Sequence, residues 1–306
     1  MVILGYRVAE LARKTASESL EDNVLGLAAQ TAYNFFFSLF PLFLFIAPML
    51  SLFGDKEQII SDLLARIGRV LPADALSLVS KVISDIAFTE SAPGLISIGA
   101  LLAAWSGSNI FTTFTEALNK AYGVTDGRPW WKRRLLALAV LLGWALTLIV
   151  VTAILMAGGE ITAYARTGLG LGTAADIWAI VQFPVALTLL VAFLYLMYAL
   201  LPYVKQDKRH ILAGSIVASV LFVAATLLFR LYVQNFGSYN KTYGTVGGVI
   251  MLLTWMYVVS VVILAGGELN SELHHGTGST ASLKGSVYAG RIATGEQPSQ
   301  PSSKIE

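Results

Sequence analysis

Polar side chains recur at helical spacing inside two otherwise apolar stretches, and they are the best candidates for chemistry in this sequence. They stand four residues apart in the first stretch and three or four apart in the second, so each set occupies one face of a helix. A polar group in hydrocarbon needs water, an ion or a hydrogen-bond partner. Two interpretations follow: a wet pathway for a small solute, lipid or ion, or hydrogen bonds that cross-link packed helices. Together with one carboxylate near the end of the last apolar stretch, the candidate pathway residues are Gln30, Asn34, Ser38, Ser106, Asn109, Glu116, Asn119 and Glu268.

Glu116 and Glu268 are the two carboxylates of this set, and both are expected at a similar depth near one end of their helices. If they face each other, they can share a proton or a cation. The alternative is that each lies in the headgroup layer and meets only water or Lys120. The sequence leaves both arrangements open.

Two further features predict local geometry. Pro41 and Pro48 follow the first polar stripe, and each proline removes a backbone donor and frees a carbonyl, so we predict a kink in the outer half of the first helix. Arg230 closes the fifth apolar stretch. It is placed either to pair with Glu160 or to extend its guanidinium to the headgroups.

The sequence contains no recognisable catalytic or metal-binding motif. It has no cysteine, and its three histidines, at positions 210, 274 and 275, have neither a paired carboxylate nor a His-x3-His spacing. No Gly-x-Ser-x-Gly nucleophile elbow is present. The net charge of +2 implies no basic surface for nucleic acid. We therefore predict no catalytic residue, no metal, no cofactor and no nucleic-acid partner, and a protein that is not an enzyme.

Six long apolar stretches must position these residues, and they predict an all-α, polytopic membrane protein. Hydrophobic residues make up 56% of the chain and charged residues 13%, against about 25% charged residues in soluble domains. About 20 apolar residues in a helix cross the roughly 30 Å hydrocarbon core of a bilayer. Stretches that are apolar nearly all round have no face for water, so we predict a bundle of six transmembrane helices. The predicted spans are 26–53, 95–114, 135–158, 177–201, 211–229 and 246–265.

Lys and Arg residues are distributed unevenly between these spans, and this predicts the orientation. The segment before the first span has three, and the connections 115–134 and 202–210 have five and three, whereas 160–176 and 233–245 have one each. The connection 54–93 has four, but they are spread over a long segment that also contains six acids. Both termini are therefore expected in the cytoplasm. The predicted organisation is a cytoplasmic segment 1–25, a transmembrane domain 26–270 and a disordered cytoplasmic tail 271–306 that is rich in Gly, Ser, Thr, Pro and Gln.

The connection 54–93, on the outer side, is expected to be helical. Its apolar residues fall on one helical face both before and after Pro72, which predicts two amphipathic helices. These helices either cover the outer face of the bundle or lie in the outer headgroup layer.

A series of short motifs stands in order along the chain. They are Glu21-Asp22-Asn23, Leu27-Ala28-Ala29, Ala32-Tyr33, Ser38-Leu39-Phe40-Pro41-Leu42, Ala117-Leu118-Asn119 with Tyr122, Pro202, Ala213-Gly214, Tyr239, Tyr243-Gly244, Trp255-x-Tyr257 and Gly266-Gly267-Glu268-Leu269. In this order the motifs resemble the YihY/BrkB family of bacterial inner-membrane proteins, formerly labelled ribonuclease BN-like. The resemblance covers about residues 22–270 and implies six transmembrane helices in a bacterial cytoplasmic membrane. One branch of that family is named for resistance to serum killing.

The leading interpretation is a transporter or flux pathway for a small solute, lipid or ion, running between the first, second and last helices. The alternative is a non-catalytic envelope scaffold linked to envelope or serum resistance, with the connection 54–93 as its docking surface. The lipid bilayer is the expected partner. The sequence is also compatible with a homo-oligomer.

Overall fold

A computed structural model describes residues 2–3, 6–50, 93–167, 172–235 and 239–275, together with a few isolated positions between 61 and 81. The predicted outer connection 54–93 and the tail beyond 275 therefore lie almost wholly outside the described residues. So do the amphipathic helices predicted on either side of Pro72.

The described part of the chain is helical, apart from a two-stranded antiparallel hairpin of β1 (Val2–Ile3) and β2 (Tyr6–Arg7). The amphipathic helix α1 precedes six long helices. The helices are α1 (Val8–Glu21), α2 (Val24–Leu50), α3 (Pro93–Ala121), α4 (Trp130–Thr167), α5 (Gly172–Leu200), α6 (Lys208–Asn235) and α7 (Tyr239–His274).

Five of these helices contain a segment that is long and apolar enough to cross a membrane: Val24–Ile46, Trp130–Leu155, Asp176–Leu200, Lys208–Val233 and Val246–His274. The sixth predicted span, 95–114, lies in α3. At 29 residues α3 is long enough to cross, but it is not one of these five segments. Seven serine, threonine and asparagine residues lie in it between positions 106 and 119. The membrane character of the protein is therefore confirmed, whereas the count of six spans stays a prediction.

Consecutive long helices are neighbours in space. Each of α2 to α6 packs against the next, and α7 returns to pack against α2, so the six helices form a closed ring in chain order. A contact between α3 and α7 divides this ring, and α1 lies outside it against α7 and α2. The ring brings α2, α3 and α7, the three helices that carry the predicted polar residues, into mutual contact.

The tightly packed core lies toward one end of this ring. Its buried side chains include Phe114, Leu118, Met197 and Leu264, and they lie close to the connections 122–129 and 201–207. We call this end the basic end, because Lys120, Arg128, Lys132, Arg133, Arg134, Lys205, Lys208 and Arg209 lie there.

Two glycines of α7 allow the close approach of helices at the basic end. A Cβ atom at Gly266 would lie 2.6 Å from both the Ala218 Cβ and the Tyr198 hydroxyl, and a Cβ at Gly267 would overlap the Leu118 side chain. The Tyr198 hydroxyl donates a hydrogen bond of 2.5 Å to the Ile263 carbonyl. Small residues thus let α7 pack closely on α3, α5 and α6, as is usual between membrane helices.

Candidate functional site

Glu268 lies on α7 within the packed basic end and is only 2% exposed. One turn further along the helix, the Ser271 hydroxyl donates a 2.7 Å hydrogen bond to the Ala121 carbonyl, which fixes this part of α7 against the end of α3. The neutral Tyr122 hydroxyl lies within electrostatic range of the Glu268 carboxylate. Within the described residues, no hydrogen bond or ion pair reaches that carboxylate.

Three further carboxylates surround Glu268 at electrostatic range: Glu18, Asp22 and Glu272. Two lysines balance them in part. Lys14 Nζ is 2.5 Å from Glu272 Oε2, and Lys120 Nζ donates a 2.6 Å hydrogen bond to the Asp22 carbonyl. The charges of the lysines are therefore directed at neighbours of Glu268, and no lysine or arginine in the described part of the chain forms an ion pair with its carboxylate.

The Asp22 side chain, outside the membrane spans, is a further carboxylate whose charged form is disfavoured, chiefly by burial. Burial raises its pKa, the charge of Lys120 lowers it, and the charge of Glu21 raises it further, with a net upward shift from the usual range. A carboxyl group whose negative form is disfavoured by burial binds a proton more readily than a solvated one.

The structure brings part of the first two polar stripes together. Asn34 Nδ2 on α2 donates a 2.9 Å hydrogen bond to Thr113 Oγ1 on α3. The Ser38 hydroxyl is buried and donates to the Phe35 carbonyl of its own helix at 2.7 Å, and Gln30 is exposed. One of the three predicted α2 residues thus bridges the two helices directly.

Asn109, in the second stripe, binds an arginine from a neighbouring helix. Arg134 Nη1 on α4 donates a 2.7 Å hydrogen bond to Asn109 Oδ1, and its Nη2 donates to the Trp105 carbonyl at 2.8 Å. The guanidinium lies 3.7 Å from the centre of the Trp105 ring, within the range of a cation–π contact. Ser106 donates to the Leu102 carbonyl of its own helix.

Asn119 joins two connections at the basic end. Its Oδ1 accepts a 2.7 Å hydrogen bond from the Tyr203 N–H, and its Nδ2 is 3.4 Å from Asp126 Oδ2. Arg128 completes this junction with two side-chain hydrogen bonds of 2.8 Å to Asp126 and one of 2.5 Å to the Leu201 carbonyl. We call Asn119, Asp126, Arg128 and Tyr203 the loop junction.

Glu116 and Glu268 occupy different environments. Glu116 is exposed, and it is absent from the charged groups that act on the buried Glu268. Besides Glu272 of α7 and Lys120 of α3, the groups around Glu268 are Glu18 of α1 and Asp22 at the junction of α1 with α2. The spacing of the polar stripes gave no means of finding these two acids. The signal that could have found them is the run of acids at positions 18, 21 and 22, next to the first apolar stretch.

The remaining predicted positions contribute less. α2 continues as a helix past Pro41 and Pro48, so the predicted kink stays a prediction. Arg230 is exposed, and the Glu160 side chain lies outside the described residues, so their pairing is untested. In the described part of the chain, no group of three or more His, Asp or Glu side chains is placed to hold a metal ion.

A cavity of about 540 Å³ lies between α4, α5 and α6, away from the predicted polar stripes. Its described lining consists of Trp144, Thr147, Leu148, Val151, Leu155, Phe183, Pro184, Ala186, Leu187, Leu190, Phe222 and Val223. The single polar side chain in that set, Thr147, donates its hydroxyl to the Gly143 carbonyl of its own helix. No pattern in the sequence predicts this cavity, and the one sequence signal near it is Pro184 inside α5.

The ring of long apolar helices around a small packed core defines a polytopic α-helical membrane protein. A family model described as virulence factor BrkB matches residues 15–287. The chain therefore belongs to the BrkB family, and the resemblance found in the sequence is confirmed.

Curated relatives from several bacteria agree with this assignment. A ribonuclease-like protein of Bacillus subtilis (strain 168), YfkH, is 31% identical over 81% of this chain and 89% of its own length. A UPF0761 membrane protein of Pseudomonas aeruginosa (strain LESB58) is 28% identical over 86% of this chain, which spans 62% of the relative. A UPF0761 membrane protein of Psychromonas ingrahamii is 25% identical over 83% of this chain and 84% of the relative. No solved structure matches.

Proposed function

We propose that this protein is a transporter or flux pathway of the bacterial cytoplasmic membrane, with both termini in the cytoplasm, and that it moves a small solute, lipid or ion. In this proposal Glu268 takes up a proton or a monovalent cation as part of each transport event. The other predicted polar residues of α2 and α3 form the remainder of the pathway or hold its walls in place.

The burial of Glu268 among other carboxylates carries the proposal, together with the lack of a hydrogen bond or ion pair to it from the described residues. An ionisable side chain inside a membrane bundle is costly, and it is usually retained for an ion pathway or a proton relay. Glu268 is 2% exposed and is surrounded by three other carboxylates, with one lysine in range. Repulsion between like charges favours the binding of a positive species at this position.

Flux through purified protein in liposomes tests the proposal. Proton movement is followed with a trapped pH-sensitive dye, and sodium or rubidium movement with radioactive tracers. We expect Glu268→Gln, which keeps the side-chain shape and removes its charge, to lower the flux of the transported ion at least tenfold. Glu10→Gln, a matched change at an exposed position of α1, should leave it unchanged.

Two outcomes would contradict this proposal. One is full flux in a folded Glu268→Gln variant, and the other is no flux of protons or either cation in the wild type. The same assay on Glu116→Gln shows whether that exposed carboxylate belongs to the same pathway, because an equal loss would place both in one site.

A non-catalytic envelope scaffold is the second candidate, and one observation favours it. Asn34, Asn109 and Asn119 each bond to another helix or connection, as cross-linking polar groups do in membrane bundles. A scaffold predicts that Glu268→Gln still restores envelope or serum resistance to cells lacking the protein. A transporter predicts that it does not.

A further inference from the structure

We propose that the cavity between α4, α5 and α6 binds one acyl chain of a membrane lipid. This proposal is independent of the flux assigned to Glu268, because it concerns a different group of residues in a different part of the ring.

The cavity continues the core-facing sides of its three helices beyond the packed core. On α5, the core residues Met197 and Leu194 are followed at helical spacing by Leu190, Leu187 and Phe183, which line the cavity. Phe183 is 63% exposed and Leu187 37%, although both lie on the face that is buried further along the same helix. The helices therefore pack closely at the basic end and separate beyond it.

The depth of the cavity matches one leaflet of a bilayer. Its lining on α4 runs from Trp144 to Leu155, and these eleven steps cover about 16 Å at 1.5 Å per residue. Half of the roughly 30 Å hydrocarbon core is about 15 Å. Trp144 stands ten residues beyond Arg134, about 15 Å along the helix, so the cavity lies in the leaflet far from the basic end. With both termini in the cytoplasm, that is the outer leaflet.

The chemistry of the lining selects hydrocarbon over a polar occupant. A bound water needs two to four polar partners, and an ion needs ligands. The described lining offers the Thr147 hydroxyl, which already bonds to Gly143 at 2.8 Å, and the indole N–H of Trp144, which can donate but cannot accept or ligate a cation. An acyl chain needs neither. The surrounding membrane supplies such chains at the depth of the cavity.

Native mass spectrometry of the full chain, released from a mild detergent, is the direct test. We expect the wild type to retain one lipid, and the added mass to distinguish a phospholipid from a free fatty acid. Ala186→Phe places a ring inside the cavity and should reduce the retained fraction at least fivefold. Ala224→Phe, the same change at an exposed position of α6 outside the lining, should not.

Photo-cross-linking provides a second readout that does not depend on a substitution. Wild-type protein in vesicles is irradiated with a phospholipid that carries a diazirine on its acyl chain, and the adducts are mapped by peptide sequencing. Adducts on Leu148, Leu187 and Leu190 support the site when Ala186→Phe reduces them and leaves adducts on the exposed Leu142 and Leu146 unchanged. The proposal is overturned if no lipid is retained, if a lipid-free dimer shows that a second copy fills the cavity, or if the cavity residues are not labelled.

Discussion

At the scale of single residues, the Asp126–Arg128 pair determines how two connections are held at the basic end. Both side chains are largely buried, with exposed fractions of 7% and 15%, and Arg128 also donates to the Leu200 and Leu201 carbonyls. Loss of the carboxylate would leave a buried guanidinium without its main acceptor. Such charge-assisted hydrogen bonds each contribute about 1.5–3 kcal/mol.

The pair also predicts a pH dependence of stability. Burial raises the pKa of Asp126, but the hydrogen bonds and charge of Arg128, with the charge of Arg133, outweigh this and hold the pKa below its usual value of 3.8. A carboxyl with a lowered folded pKa stabilises the protein above its unfolded pKa, and that contribution is lost as the pH falls through the folded pKa.

We therefore expect Asp126→Asn to lower the melting temperature in detergent at pH 7. The difference from the wild type should shrink below about pH 4, as the wild-type carboxyl protonates. Intrinsic tryptophan fluorescence during heating measures the melting temperatures of the wild type and the variant at each pH. Glu10→Gln, at an exposed position, serves as the control. A difference that stays constant down to pH 3 would show that the charge of Asp126 does not contribute.

At the scale of secondary structure, the end of α3 depends on one glycine. Gly123 has a φ of +62°, and the N–H groups of Gly123 and Val124 donate to the carbonyls of Lys120 and Asn119 at 2.9 Å. This is the Schellman arrangement that ends many helices, and it favours glycine at the left-handed position. It also places Asn119 at the start of the connection that it joins to Tyr203.

Gly123→Ala should lower the stability by about 1 kcal/mol, because an L side chain is strained at this φ. The Cβ itself meets no atom within 4 Å, so the cost is conformational and not steric. Gly143→Ala is the matched control. It lies inside α4 with equally open space around it, and alanine there should be neutral or stabilising. Unfolding followed by circular dichroism measures both variants, and equal effects would contradict the role of the left-handed conformation.

At the scale of the whole molecule, α4, α5 and α6 pack closely at the basic end and separate beyond it. The core side chains of α5, the contacts of Gly266 and Gly267 and the loop junction lie at the basic end, whereas the cavity lies beyond them. This asymmetry gives an acyl chain of one leaflet access to the cavity.

The orientation of the ring is testable because the chain has no cysteine. Single cysteines at Ser80, in the predicted outer connection, and at the exposed Lys205 should react with an impermeant maleimide from opposite sides of sealed cells, Ser80 from the outside. The cysteine-free wild type is the blank. Labelling of both positions from the same side would exclude an arrangement with both termini in the cytoplasm and six spans.

The sequence by itself determined that this is a membrane protein, that it is helical, which family it belongs to and which ends of its helices are basic. These properties depend on the length and composition of local segments, and the six long helices lie at the six predicted apolar stretches. It also identified Glu268, but it could not separate it from Glu116, since both are carboxylates near helix ends. Only the tertiary structure decided that Glu268 is buried while Glu116 is exposed. The partners of Asn119 and Asn34 lie 84 and 79 positions away, and the cavity exists because three helices separate beyond their common core. Burial, pairing and empty space depend on how distant segments pack, and local pattern does not record them.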